Sequence, residues 1–131
     1  MSFFRTAIVL TGLAVPAAAF AQAGGHSHDA PNGGQIQKIG NLEGELVVKG
    51  SNVILYVVDA KEQKVDASKL SASAVVLAKG NQQKVVEMKP GKENMLTATI
   101  DFPVEGKFRA TVTLKSGSTE VGKGRFSLDA K

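Results

Sequence analysis

The chain predicts an all-β fold, an antiparallel immunoglobulin-like β-sandwich of seven or eight strands, with a small barrel as the alternative closure. Three observations carry this reading. From Gln35 onward, short segments alternate apolar and polar residues with the period of two that marks strands. Clusters of Gly, Asn, Pro and Lys separate them at intervals of about 8 to 12 residues. No segment has the length and 3.6-residue period of a substantial helix.

Strands are expected at residues 35–39, 43–49, 52–59, 72–79, 84–89, 95–101, 107–115 and 121–128. The breaks have turn chemistry: Lys49-Gly50-Ser51-Asn52, Lys79-Gly80-Asn81-Gln82, Pro90-Gly91-Lys92 and Ser116-Gly117-Ser118 supply residues that tolerate positive φ or preset a turn. The seventh segment alternates most cleanly. Phe108, Ala110, Val112 and Leu114 share one face, and Lys107, Arg109, Thr111 and Thr113 the other, so one side is buried and one wet. Residues 53–58 are apolar on both faces, as in a central strand covered on both sides or flanked by a loop. Residues 65–70 hold either a single helical turn capped by Asp66 or Ser68 or a loop crossing between sheets.

The N-terminus reads as a secretory signal. Arg5 supplies the positive charge, residues 6–15 form an apolar run of about ten, too short to span a bilayer, and Pro16 ends it. Small residues then offer cleavage after Ala21, with a cut after Ala23 as the alternative. The expected organisation is a signal over residues 1–21, a flexible Gly/His tail over 22–34, and a β-domain over 35–131. An exported, periplasmic location follows. Cysteine is absent, which excludes disulfides, thiolate metal sites and a thiol-linked lipid, so no membrane anchor is expected in the mature form.

The formal charge is +4, with lysines scattered singly and no interleaved aromatics, so a nucleic-acid partner is not expected. Catalysis is disfavoured too. The β-domain has no Cys or His to activate a nucleophile, and no paired-carboxylate or phosphate-loop pattern stands out. Gly122 and Gly124 form a Gly-x-Gly without a third glycine or a following helix, which points to a bulged or closely packed last strand rather than an anion loop.

The two histidines of the chain, His26 and His28, lie together in the tail beside Asp29. Imidazoles at i and i+2 with an adjacent carboxylate form a donor set that Cu(II), Ni(II) or Zn(II) accepts, and Gly24 and Gly25 let the chain wrap an ion closely. Ordinary polar residues of a linker are the competing explanation. A cut after Ala23 would make His26 the third residue, and the free amine, two backbone amides and its imidazole would form a square-planar four-nitrogen site. Glu43 and Glu45 share a strand face and could complete a site if the tail folds back, although solvent-facing roles are the default. Met88 and Met95 flank a turn, where core filling is the default and thioether ligation of Cu(I) the alternative.

The tail His-Ser-His-Asp-Ala-Pro-Asn-Gly-Gly-Gln, the Glu43-Gly44-Glu45-Leu46-Val47-Val48 segment and the Tyr56-Val57-Val58-Asp59 segment resemble small bacterial periplasmic proteins associated with heavy-metal efflux systems. Related sequences occur in the periplasmic adaptor proteins of such pumps. The resemblance covers residues 25–59 and implies a His-rich stretch leading through a Pro-x-Gly-Gly turn into a β-domain. The chain departs from the pattern at Asn32, where a histidine is frequent, and has no histidine over residues 40–46, so only His26 and His28 carry over as ligands. The expectation is a non-enzymatic protein that binds or transfers copper, zinc or nickel, with a metal-efflux or other envelope protein as partner. The alternative is an interaction module with no metal role, which binds by strand addition or through a sheet face.

Overall fold

The computed structural model describes residues 30–129. They form eight antiparallel strands: β1 (Gln35–Ile39), β2 (Leu42–Lys49), β3 (Asn52–Val58), β4 (Leu70–Ala78), β5 (Gln82–Pro90), β6 (Met95–Thr99), β7 (Phe108–Ser116) and β8 (Thr119–Leu128). The all-β antiparallel class holds, and each expected strand is present with its ends shifted by at most two residues. No helix among the described residues is long and apolar enough to cross a membrane.

Hydrogen bonding runs in one order, β1-β2-β3-β6-β5-β4-β7-β8, so the strands form a single, nearly closed sheet. Strand β5 makes this continuity. Its first part pairs with β4 from Ala78↔Gln82 to Ala72↔Met88, and its last two residues pair with β6 as Lys89↔Thr97 and Pro90↔Leu96. The arrangement is thus a curled sheet with two lobes that share a strand, rather than two separate layers. Phe108, Ile39, Leu46, Leu55, Met88, Leu96 and Leu114 fill its interior, all fully buried. Strand β7 has the alternation read from its sequence, with Phe108, Ala110, Val112 and Leu114 inward.

The end strands β1 and β8 face one another, and glycine makes the approach possible. A Cβ on Gly122 would overlap the Gly40 backbone nitrogen, and one on Gly40 would overlap the Val121 carbonyl. A Cβ on Gly124 would stand 2.9 Å from Ile39 Cγ1. The β7–β8 register shifts between Leu114 and Lys115, just where Gly122 meets β1. The Gly122/Gly124 pair is therefore packing, as expected. Further along, Ser127 N–H donates to Gln35 Oε1 at 2.7 Å. This closure leaves neither end strand a fully open edge for strand addition.

Residues Ala67–Lys69 form one 3-10 turn, capped by Asp66, whose carboxylate accepts from Ser68 N at 2.9 Å. That backbone hydrogen bond, then the Ser68 side chain and more weakly the Lys69 charge, hold the Asp66 carboxyl below its ordinary range. Because the folded value lies below the unfolded one, the stabilisation is complete above about pH 5 and is lost as pH falls through the unfolded and then the folded value.

Two outcomes follow for urea unfolding. Gly122→Ala must push the seam apart and should cost about 1–3 kcal/mol, whereas Gly50→Asn, in open space at positive φ, should stay within about 0.5 kcal/mol. Asp66→Asn, which keeps a cap without a titrating group, should lose less stability than the parent between about pH 5 and pH 2.

Candidate functional site

The outer face of β1, β2, β3 and β6 carries the larger groove, with a volume of about 500 Å³. Strand register builds its floor. Ile36, Glu45, Tyr56 and Met95 are successive partners across four strands, and Lys38, Glu43 and Val58 form the next row. Side chains alternate across a strand, so these residues point away from the core that Leu46, Leu55 and Val57 occupy. Pro31 and Asn32 wall one side, and Glu62, Lys64, Glu93 and Asn94 wall the other. The second wall is tied down by Asp59, which accepts from Lys61 N and Gln63 N at 2.8 and 3.0 Å, and by the Val58↔Lys64 bridge. Asn94 is buried and Nδ2 donates to Val57 O at 3.0 Å, fixing the groove end to β3.

Glu45 is the centre of this face. It stands on the outer side of β2 yet is only 4% exposed. Its Oε2 accepts from Asn32 N at 2.9 Å and Gly34 N at 2.8 Å, and its Oε1 accepts from Asn32 Nδ2 at 2.9 Å. A buried carboxylate is tolerated only when its lone pairs are used, and these charge-assisted bonds use them. The residues just ahead of β1 thereby fold over β2.

The Pro-Asn-Gly-Gly segment suits that task position by position. Gly33 N donates to Ala30 O at 3.1 Å, closing a four-residue turn with Pro31 second, where its fixed φ belongs. Gly33 has φ +78°, a left-handed conformation that glycine adopts without strain. Gly34 has no room for a side chain, because a Cβ there would overlap the Leu46 carbonyl. Val47, on the same outer face as Glu45, lies under this turn and is 1% exposed.

Four glutamates and a single lysine line the groove. Lys64 Nζ lies 3.0 Å from Glu93 Oε1, with both side chains well exposed, so the pair adds little stability. Glu62 and Glu93 sit at φ +65° and +53°, positions costly for a side-chain-bearing residue. Glu43 is half-buried and makes no hydrogen bond or ion pair among the described residues. Of the two β2 glutamates in the groove, Glu45 is thus committed to the turn and Glu43 is not.

His26, His28 and Asp29 lie outside the described residues. The described chain begins at Ala30, beside the Pro31–Asn32 wall of the groove. Among the described residues no three His, Cys, Asp or Glu side chains are grouped to hold a metal ion. Met88 and Met95 are separated: Met88 is fully buried in the core, and Met95 lines the groove. Glu45 was the residue that sequence reasoning misplaced, since its strand face reads as solvent-facing. The signal that could have found it is the Pro31-Asn32-Gly33-Gly34 turn, 11 to 13 residues upstream of its partner. Compared with protein-family models, curated proteins and solved structures, the chain matches none.

Glu45→Ala leaves buried N–H groups without acceptors and should cost about 1–3 kcal/mol. Hydrogen exchange should accelerate at the Asn32 and Gly34 amides while the β3 amides keep their protection. Glu43→Ala, with no partner to lose, should change stability by less than about 0.5 kcal/mol.

Proposed function

We propose that this is an exported, non-enzymatic protein that binds a transition metal ion, copper, zinc or nickel, through His26, His28 and Asp29, with Glu43 as a further oxygen donor. The observation that carries the reading is the Glu45 clasp on Asn32 and Gly34, which holds the start of the described chain over the strand face bearing Glu43. Covalent reach does the rest. His28 is two residues from Ala30 and His26 four, so their Cα atoms stay within about 7 and 14 Å of it.

Chemistry supports the same set. Two imidazoles and carboxylate oxygens suit Zn(II), Ni(II) and Cu(II), while a soft thiolate site is impossible in a chain without cysteine. Binding needs neutral imidazoles, so affinity falls as pH drops through about 6.5 and protons compete for the ligands. The resemblance to proteins associated with heavy-metal efflux supports a role in periplasmic metal handling, with an efflux component or other envelope protein receiving the ion. A chain cut after Ala23 would instead bind Cu(II) or Ni(II) at its amine, two amides and His26.

Isothermal titration of residues 22–131 against Cu(II), Zn(II) and Ni(II) tests the proposal. Micromolar or tighter binding is expected for at least one ion, abolished by His26→Ala with His28→Ala and weakened about tenfold by Glu43→Ala. Binding that survives the double histidine substitution sinks the reading. Loss to the histidine pair without any effect of Glu43→Ala would confine the ion to the tail.

A further inference from the structure

The opposite lobe carries a second groove, of about 420 Å³, on the outer face of β4, β7 and β8. Arg109, Thr111, Arg125 and Ser127 form its floor. Val75, Leu77 and Gln83 wall one side, and Gln35 and Gln37 of β1 wall the other. It shares no lining residue with the acidic groove.

The two arginines are neighbours by register. Thr111 faces Arg125 and Arg109 faces Ser127, which makes Arg109 and Arg125 a diagonal cross-strand pair, about 7–8 Å apart. Like charges at that spacing repel, yet neither guanidinium has an ion pair or hydrogen bond among the described residues, and no acidic residue lines the groove. The residue type matters as well. Of the 16 cations of the chain 13 are lysine and three arginine, and two of those three meet here. Arginine presents a rigid planar fork that takes a carboxylate through two parallel bonds, which lysine cannot do.

Apolar surface adjoins this pair. Val75 and Val85 are the exposed large hydrophobics of the described residues, at 37% and 65%, and they are directly paired across β4 and β5. Arginine is enriched at protein interfaces relative to the rest of the surface, and here it stands beside exposed aliphatic side chains. The walls add polar capacity. The side-chain amides of Gln37 and Gln83 are unused within the described residues, whereas Gln35 is committed to Ser127 and holds wall and floor together.

We propose that this groove docks an extended acidic segment of another protein, with carboxylates at i and i+2 on Arg109 and Arg125 and an apolar residue against Val75 and Val85. The spacing is the argument for an extended peptide. Same-side residues of a strand repeat every ~6.6–6.8 Å, close to the separation of the two arginines.

Fluorescence anisotropy with a labelled peptide of alternating Asp and Val, at about 50 mM salt, reads the docking directly. Saturable binding at or below about 100 μM is expected, weakened on the order of tenfold by Arg109→Ala and by Arg125→Ala. Arg109→Lys and Arg125→Lys should also weaken it, since charge remains but the fork is lost. A peptide with its two Asp residues adjacent should bind less well. Circular dichroism checks that each variant is folded. The proposal is overturned if no saturable binding appears, if the lysine variants bind like the parent, if millimolar inorganic phosphate displaces the peptide completely, or if vesicles with 30% anionic phosphatidylglycerol bind as well as the peptide in an arginine-dependent way.

Discussion

Closure of the sheet between β1 and β8 is the constraint on which the remaining architecture rests. Eight short strands without a packing helix here bury their core by curling as one sheet, and curling leaves two end strands whose unpaired backbone must be shielded. Glycines at 40, 122 and 124 let the two backbones come together where any side chain would hold them apart. Once β1 is fixed there, its two faces are committed to different tasks. Ile36 enters the acidic groove, while Gln35 and Gln37 wall the basic one. One strand thus separates the two surfaces on which function is proposed.

Position of the chain ahead of β1 depends on a second, local balance. Ordering the backbone of residues 32–34 costs about 1–2 kcal/mol each. Hydrogen bonds to an ionised group return about 1.5–3 kcal/mol apiece, and Glu45 accepts from two backbone N–H groups and the Asn32 amide. The return, about 4.5–9 kcal/mol for three bonds, matches or exceeds a cost of about 3–6, so the carboxylate can hold the turn and the glycine packing adds to it. The fold uses its one buried acidic side chain among the described residues to decide where the N-terminal segment enters.

Strand existence was legible because period-two alternation is a local property. Phe108 to Leu114 could be assigned to the core from sequence alone, and the glycine pair in β8 could be read as close packing. The path of the sheet was not legible. Whether β5 belongs to one layer or passes between two depends on which partner Lys89 and Pro90 find, and that is a contact with β6 across a turn, not a pattern within β5. Glu45 was misread for a related reason. Alternation correctly puts residues 43, 45 and 47 on the outer face, but it cannot say that a turn upstream will cover two of the three. Likewise Arg109 and Arg125 lie 16 positions apart, and only the β7–β8 register makes them neighbours. A slip of one residue would put one of them on the core side.

Net charge concealed more than it disclosed. A small positive total, with lysines spread along the chain, reads as an even solvated surface, yet folding sorts it into an acidic groove on one lobe and an arginine-floored groove on the other. The proposed metal capture and the proposed peptide docking thus fall on grooves that share no lining residue.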